Sequence, residues 1–297
     1  MRRVVALGGA LAFLFIVVLI YVRPWYLGWG ATDEERLRPL PSDGVLAFPA
    51  ATHETRAITI NAPAARVWPW LAQLGQDRGG FYSFDVLENI VGCEMPVDDV
   101  LRPTLQQWNI GDRLWMYPPT KAGGAGFATL RVFEPGRTMG FATRRFGTAL
   151  DQPEDGAWSF ELVPVDASTT RLLVRGRGLP DRSLWGKVFD SGIFDVAHFV
   201  MEKRMLLGIK SLAEGHTRRR LDNHVLVASW LVVFITLITA VIAGFRRRRI
   251  AGAVGAFVLA GLIFQILTLG QPDITVAMML SVVPALMLWW TRDISLA

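Results

Sequence analysis

Four stretches of this 297-residue sequence carry no charged side chain and are long enough to cross a membrane. They are Val4–Val22, Val225–Phe245, Ile250–Gly270 and Ile274–Trp290. A hydrocarbon core of ~30 Å takes about 20 helical residues, and lipid offers no partner to a free backbone amide, so each stretch should be a helix. The last is the shortest and contains Pro284, which predicts a kink or a partial span. The composition agrees, with 52% hydrophobic and 19% charged residues.

The first stretch has a cleaved signal peptide as its alternative. Its apolar run is long for one, and no small-x-small cleavage site precedes Arg23-Pro24-Trp25. We therefore favour an uncleaved anchor, with Tyr21, Trp25, Tyr26 and Trp29 at the membrane interface, where aromatic rings are enriched.

Arginine placement predicts the orientation of the chain. Arg2, Arg3, the Arg246–Arg249 loop and Arg292 all fall in the cytoplasm if the large polar region lies outside, whereas Arg218–Arg220 argue the other way. We predict a multi-pass cell-membrane protein with an extracytoplasmic globular domain. Residues 23–223 carry equal numbers of acidic and basic residues, so nucleic acid is not an expected partner.

The polar region reads as one domain behind a linker. Residues 30–53 are predicted to be extended, with a short helix near Thr32–Leu37. The pattern then changes between helical and strand periods. It first predicts a strand, Thr55–Asn61, and two helices, Ala64–Leu74, capped by Asn61, and Ser83–Val91. Five strands follow as an antiparallel meander: Asp112–Tyr117, Phe127–Phe133, Met139–Arg145, Ala157–Val163 and Thr170–Gly176. The last element is one long helix, Ser183–Glu214, which ends at Gly215.

One stretch carries a family resemblance. Ile58-Thr59-Ile60-Asn61-Ala62-Pro63-Ala64-Ala65-Arg66-Val67-Trp68, followed by Gly79-Gly80-Phe81-Tyr82-Ser83, resembles the first strand and helix entry of the SRPBCC superfamily in a bacterial, membrane-anchored branch. That superfamily includes START-type lipid-transport domains and polyketide cyclases. The resemblance implies an α+β helix-grip fold, an antiparallel sheet wrapped on a long C-terminal helix, over residues 54–215. One N-terminal transmembrane anchor (1–29), a linker (30–53) and a three-helix transmembrane region (216–297) complete the expected organisation.

A helix-grip fold encloses a cavity, and large rings are expected to line it. The side chains that we predict to contact a ligand are Phe81, Tyr82, Trp115, Tyr117, Phe127, Phe141, Trp158, Phe160, Trp185, Phe189 and Ile193. The alternative is a core that these rings fill completely.

Candidate catalytic and metal-binding residues have plainer interpretations. Asp85 and Glu88, with Tyr82, could supply acid–base catalysis, but we favour a solvated helix face or a cap partner for the preceding loop as the role of the two carboxylates. Asp195, His198 and Glu202 share one face of the long helix, and a metal site there needs a further strong ligand from elsewhere. We interpret these three as an exposed polar stripe and predict no catalytic residue, metal or cofactor.

The sequence therefore predicts a membrane-tethered binding module for a lipid or other hydrophobic small molecule. It favours binding over catalysis. Ligand binding is expected to couple to the membrane helices. A cyclase- or hydrolase-type enzyme and an assembly factor for a membrane complex remain alternatives. The expected partners are membrane lipids and the hydrophobic ligand, with a membrane protein as a further option.

Overall fold

The structure is a computed structural model, and it describes residues 21–46, 52–96, 99–144, 150–179, 183–217, 220–246 and 251–293. The chain divides into two compact units, residues 1–218 and residues 219–297.

A six-stranded antiparallel sheet forms the centre of the first unit. Its strands are β1 (Thr52–Ile60), β2 (Arg113–Trp115), β3 (Phe127–Glu134), β4 (Thr138–Thr143), β5 (Gly156–Pro164) and β6 (Thr170–Gly178). They lie in the order β1-β6-β5-β4-β3-β2, so each strand from β2 to β6 pairs with its neighbour in sequence. The predicted five-strand meander is confirmed, and β1 closes the far edge by pairing along its whole length with β6.

Nine α-helices lie within the described residues. They are α1 (Arg23–Leu27), α2 (Asp33–Leu37), α3 (Ala64–Ala72), α4 (Asp85–Ile90), α5 (Leu184–Phe189), α6 (Asp195–Ala213), α7 (Arg220–Arg246), α8 (Ala251–Gln265) and α9 (Ile274–Asp293). A π-helical turn, Asp190–Phe194, joins α5 to α6. Strand, two short helices, five strands and a long helix is the predicted order, and this α+β architecture fits the helix-grip fold.

Two helix ends show clear local capping chemistry, and one predicted cap is wrong. Thr32 and Glu35 form a reciprocal capping box at the start of α2. Gly215, with φ of 84°, ends the long helix as predicted: its amide bonds Leu212 O, and the next amide bonds Ser211 O. The predicted cap at Asn61 is wrong, because Pro63 occupies the N-cap position. The backbone amide of Asn61 instead donates to Glu214 Oε1 at 2.7 Å.

The long helix covers one face of the sheet, which we call the inner face. Inward side chains alternate along each strand and include Leu130, Phe141, Phe160, Leu172 and Val174, and they form one core with Met205, Leu206 and Ile209 of α6. Gly208 lets α6 approach the segment after α3, since a Cβ there would lie 2.3 Å from the Tyr82 carbonyl oxygen.

The start of the predicted long helix is not buried. Trp185, Phe189 and Ile193, which are predicted to contact a ligand, lie on α5 and the π-helical turn, where all three side chains are exposed. The π turn breaks the 3.6-residue period that a continuous helix would keep. In addition, the face of α6 that is buried contains the charged residues Glu202 and Lys203, which a reading based on apolar spacing passes over.

The opposite, outer face of the sheet is covered by the segment predicted to be a linker. Residues 32–46 form α2 and a 3₁₀ helix, Pro41–Val45, that lie against it. Arg175 on β6 donates to the carbonyl oxygens of Glu35 and Arg38 and to the Asp43 carboxylate, at 2.9–3.2 Å. Arg171 adds an ion pair with Glu35 at 2.6 Å. Residues 32–46 are therefore a fixed layer of the domain.

The second unit consists of α7, α8 and α9, which pack against one another. Among the described residues, two stretches are long and apolar enough to span a membrane, Leu221–Ala243 and Ala253–Gly270. Ile274–Trp290 is a shorter apolar helix with Pro284 inside it. The predicted first span, Val4–Val22, lies outside the described residues except for its last two positions. Two of the four predicted spans are thus supported by the structure.

Candidate functional site

Four charged or titratable side chains meet between β1 and α6: Glu54, Arg56, His198 and Glu202. We call them the ionic cluster. Glu54 and Arg56 are two residues apart on β1 and so point to the same face of the sheet, while His198 and Glu202 are four apart on one face of α6. The local periods of the two elements therefore bring the four side chains together at the inner face.

Arg56 lies at the centre of the cluster and has no exposed surface. Its Nη1 donates to Glu202 Oε1 at 2.7 Å, its Nη2 to Glu54 Oε2, and its Nε to the Tyr26 carbonyl oxygen at 2.9 Å. The Phe199 ring lies 5.3 Å from the guanidinium carbon. Removing one partner of such a buried ion pair leaves an uncompensated charge, which typically costs about 3–5 kcal/mol.

The remaining carboxylate oxygens have their own partners. Trp158 Nε1 donates to Glu202 Oε2 at 2.8 Å, and His198 Nδ1 lies 3.0 Å from Glu54 Oε1. The His198 ring stacks on Phe194, with centroids 5.6 Å apart, and meets the edge of Trp158 at 6.0 Å. Aromatic rings thus enclose the imidazole on two sides.

A glycine makes room for Glu54. Gly176 of β6 is the Cα partner of both Glu54 and Trp158, so the three residues lie in one row across the sheet. A Cβ at position 176 would lie 2.4 Å from Glu54 Oε1. Any larger side chain at that position would displace the carboxylate that faces His198.

The pKa values in the cluster reflect mutual stabilisation. Burial would raise the pKa of Glu54, but His198 and Arg56 outweigh it and hold that pKa at about 2. Burial would lower the pKa of His198, but Glu54 and Glu202 raise it above its ordinary value. With His198 protonated, two negative charges face two positive ones and the cluster is neutral.

Three further charged side chains border the cluster. Arg23 forms an ion pair with Asp195, the first residue of α6, at 2.7 Å. Lys203 lies 4.9 Å from the Trp29 ring centroid, and burial lowers its pKa to about 8. The interpretation of Asp195, His198 and Glu202 as an exposed polar stripe is therefore wrong, because Glu202 is buried and the other two are more than two-thirds covered.

The cluster also offers ligand atoms for a cation. One atom each of Glu54, His198 and Glu202 lies within 4.8 Å of the others. Glu54 is the ligand from elsewhere that the helix residues needed. However, Arg56 already neutralises one oxygen of each carboxylate and would lie beside the ion, and His198 binds a metal only in its neutral form. The charges balance without a metal, so we assign the cluster no metal-binding role.

Five of the predicted ligand-contacting residues lie at the inner face or against it. Phe81, Tyr82, Phe141 and Phe160 are buried in the core, and half-buried Trp158 packs against them. Trp158 lies 4.6 Å from Phe160 and 6.1 Å from Phe81 between ring centroids. Because its indole N–H bonds Glu202, Trp158 joins the apolar core to the ionic cluster.

The other predicted ligand-contacting residues lie elsewhere. Trp115 and Phe127 pair with each other across β2 and β3. Their side chains lie on the outer face of the sheet, because Leu114 and Leu130 occupy the inward positions of the same strands, so the predicted inward placement of both rings is wrong. Tyr117 follows β2 and its hydroxyl donates to the Val91 carbonyl oxygen. The expected inward position of three helix residues is also wrong, since they are 53–81% exposed: Trp185, Phe189 and Ile193.

The candidate acid–base residues are less solvated than expected. Asp85, at the start of α4, is buried, and Glu88 is half-buried, so a fully solvated helix face is wrong for this pair. The Tyr82 hydroxyl accepts a hydrogen bond from Gln73 Nε2 at 2.8 Å, and its ring meets the Trp70 edge. These contacts give Tyr82 a packing role.

Glu54 and Arg56 are the site residues that sequence reasoning missed. A signal for them exists: Ile58 and Ile60 point inward, and continuing the alternation backwards places Arg56 and Glu54 on the same face. Charged residues at inward positions are rare unless they are paired, so two in succession predict partners on a facing element.

Comparison with known proteins finds distant structural similarity. An aromatase/cyclase, Zhui, from Streptomyces sp. R1128 is 16% identical, and the match covers 56% of this chain and 99% of that chain with a TM-score of 0.32. A Thermobifida fusca protein matches at 14% identity over 56% and 97%, with a TM-score of 0.34. A Mycobacterium smegmatis protein matches at 19% identity over 56% and 92%, with a TM-score of 0.30. No protein-family model and no curated protein matches the chain.

The raised pKa of His198 predicts a pH-dependent stability. A raised folded-state pKa stabilises the fold fully below the ordinary pKa of 6.5 and no longer does so once the pH exceeds the folded value. We expect the contribution of His198 to the melting temperature of the full chain in mild detergent to be lost as the pH rises above about 6.5. A His198→Gln variant should lack the stabilisation by His198. When melting temperature is plotted against pH from 5.5 to 9, the plots for the two proteins should therefore converge at high pH.

The other histidines are present in both proteins, so the difference between the two isolates residue 198. A difference that stays constant across the range, or that grows with pH, would contradict the ion pair with Glu54.

Proposed function

We propose that this chain is a membrane-attached binding module for a hydrophobic or amphipathic small molecule, taken up between the sheet and the long helix. The observation that carries the proposal is the placement of Trp158. Its half-buried ring contacts the apolar core on one side, and its indole N–H is bonded to a buried carboxylate on the other. An apolar interior with a few fixed polar groups at its rim is the usual chemistry of a small-molecule site.

The two ends of the interface between sheet and helix support this placement. Around Ile60, Leu71 and Leu206 the packing is closed, with side chains that have no exposed surface. At the other end His198 and Glu54 of the ionic cluster, together with Trp158, keep partial contact with solvent. A ligand would enter beside Trp158, with its polar group at the cluster and its apolar part toward Phe81, Phe141 and Phe160.

Attachment to a membrane is the second part of the proposal. Leu221–Ala243 and Ala253–Gly270 have the length and polarity of spans. We propose that Val4–Val22 and Ile274–Trp290 complete a four-span arrangement, with the globular domain outside the cytoplasm. The arginines at both termini and between the second and third spans favour this orientation.

A pair of tryptophans tests the binding site. Trp158 and Trp115 are both half-buried and both lie on strands of the sheet, but on opposite faces. We expect Trp158→Ala to weaken binding of a fluorescent acyl probe to the detergent-purified chain by about tenfold or more, the effect of losing roughly 1.4 kcal/mol. Trp115→Ala should leave probe binding within about twofold of the unsubstituted protein.

Melting temperatures of the two variants show whether either has lost its fold. Equal effects of the two substitutions would contradict a site at the inner face. If the unsubstituted protein binds no acyl probe and lipid mass spectrometry finds no co-purified apolar molecule, the binding proposal fails.

Reporter fusions test the proposed orientation. A reporter active only outside the cytoplasm should be active when fused after residue 120 and inactive when fused after residue 248. The reciprocal cytoplasmic reporter should give the opposite pattern. Activity of the cytoplasmic reporter at residue 120 would overturn the orientation and leave the binding site untouched.

A further inference from the structure

A row of large apolar side chains lies exposed at the start of the long helix. Along α5 and the π-helical turn, six of them are 41–81% exposed: Leu184, Trp185, Val188, Phe189, Ile193 and Phe194. Only two charged residues interrupt the row, Lys187 and Asp190. We call these six side chains the apolar ridge.

The ridge is large for a surface in contact with water. A tryptophan or phenylalanine removes about 150–250 Å² when fully buried, so six side chains exposed to this degree present on the order of 500 Å². The largest apolar patch of a typical soluble monomer is about 300–600 Å², and such patches are often binding surfaces. The ridge is therefore as large as surfaces that bind a partner or a membrane.

Its position in the chain indicates which occupant. Asp195 follows the ridge directly and is paired with Arg23 at 2.7 Å. Trp25 meets the edge of Phe199 on α6 at 5.7 Å, and its ring is about half exposed. Arg23 directly follows the predicted span Val4–Val22, and an extended residue reaches at most about 3.6 Å. The Arg23–Asp195 ion pair thus holds the end of the ridge within a few residues of the predicted end of the span.

The residue types of the ridge fit the interfacial layer of a membrane. Helices that lie in this layer present tryptophan, phenylalanine and leucine to the acyl chains and keep a basic residue for the headgroups. Trp185 and Phe189 supply the rings, and exposed Lys187 between them supplies the basic group. Tyr21 and Trp25, both exposed, add amphipathic rings of the kind enriched at this depth.

We propose that the apolar ridge is a membrane-docking surface that lies in the bilayer interface, with its rings among the lipid acyl chains. The proposal rests on the membrane attachment proposed above and adds a second contact that the spans do not supply. Docking would place the entrance beside Trp158 near lipid, because Phe194 of the ridge stacks on His198 and His198 meets Trp158.

Fluorescence quenching in vesicles tests the docking surface. Three variants of the full chain each carry Cys93→Ser and one new cysteine, at Trp185→Cys, Phe189→Cys or Val165→Cys. Each cysteine is labelled with an environment-sensitive fluorophore, and each labelled protein is reconstituted in phosphatidylcholine–phosphatidylglycerol vesicles. Val165 is a matched control, since it is 59% exposed but lies in the turn at the far end of β6. Nine strand residues separate that turn from the ridge end, about 30 Å.

We expect spin-labelled lipid to quench the labels at 185 and 189 several-fold more than the label at 165, and aqueous iodide to show the reverse order. Iodide access at 185 and 189 equal to that at 165 would overturn the docking surface. Shielding of both labels from lipid and from iodide would also overturn it, because protein would then cover the ridge. Flotation of the same samples separates the two proposals: a chain that does not float with the vesicles contradicts membrane attachment itself.

Discussion

A guanidinium with no exposed surface joins the first strand to the long helix. Arg56 donates to a carboxylate of its own strand, to a carboxylate of α6 and to the Tyr26 carbonyl oxygen of the N-terminal segment. Three parts of the chain that are far apart in sequence thus share one charge. Because a buried charge is tolerated only with its partners in place, the ion pairs fix where α6 crosses the inner face.

The rest of the site follows from that crossing. With Glu202 held by Arg56, its second oxygen accepts the Trp158 N–H, and His198 one turn earlier faces Glu54. Gly176 leaves the space that the Glu54 carboxylate fills. Trp158 is thereby held at the boundary between the apolar core and the charges, the position on which the proposed ligand site depends.

On the outer face of the sheet, arginines also bond to several partners at once. Arg171 and Arg175 alternate along β6 away from the core and bind the segment Thr32–Val45 through its carbonyl oxygens and carboxylates. The chain between the predicted first span and β1 is therefore tied down along most of its length. Movement of this segment away from the sheet would have to break these bonds.

The fold could be predicted from the sequence further than the site could. Alternation with a period of two located all six strands within a few residues, and Gly215 marked the helix end, because both signals are local. Trp115 and Phe127 were assigned to the wrong face because alternation does not say which of its two faces is inward. The sequence pattern predicts an exposed Glu202, because its partner, Arg56, is distant in sequence. The π-helical turn before α6, which accompanies the exposure of Trp185, cannot be recognised from the spacing of apolar residues.

Hydrogen exchange of the full chain, measured by mass spectrometry on peptides from β1 and α6, tests the role of Arg56 most directly. With Arg56→Met, local opening of both elements should become easier by about 3–5 kcal/mol, because two carboxylates stay buried without their counter-charge. Adding Glu54→Gln and Glu202→Gln should recover most of that loss. Arg131→Met, which breaks an exposed ion pair with Glu154, should cost less than about 1 kcal/mol. An Arg56→Met variant whose exchange is no faster than that of Arg131→Met would contradict the account.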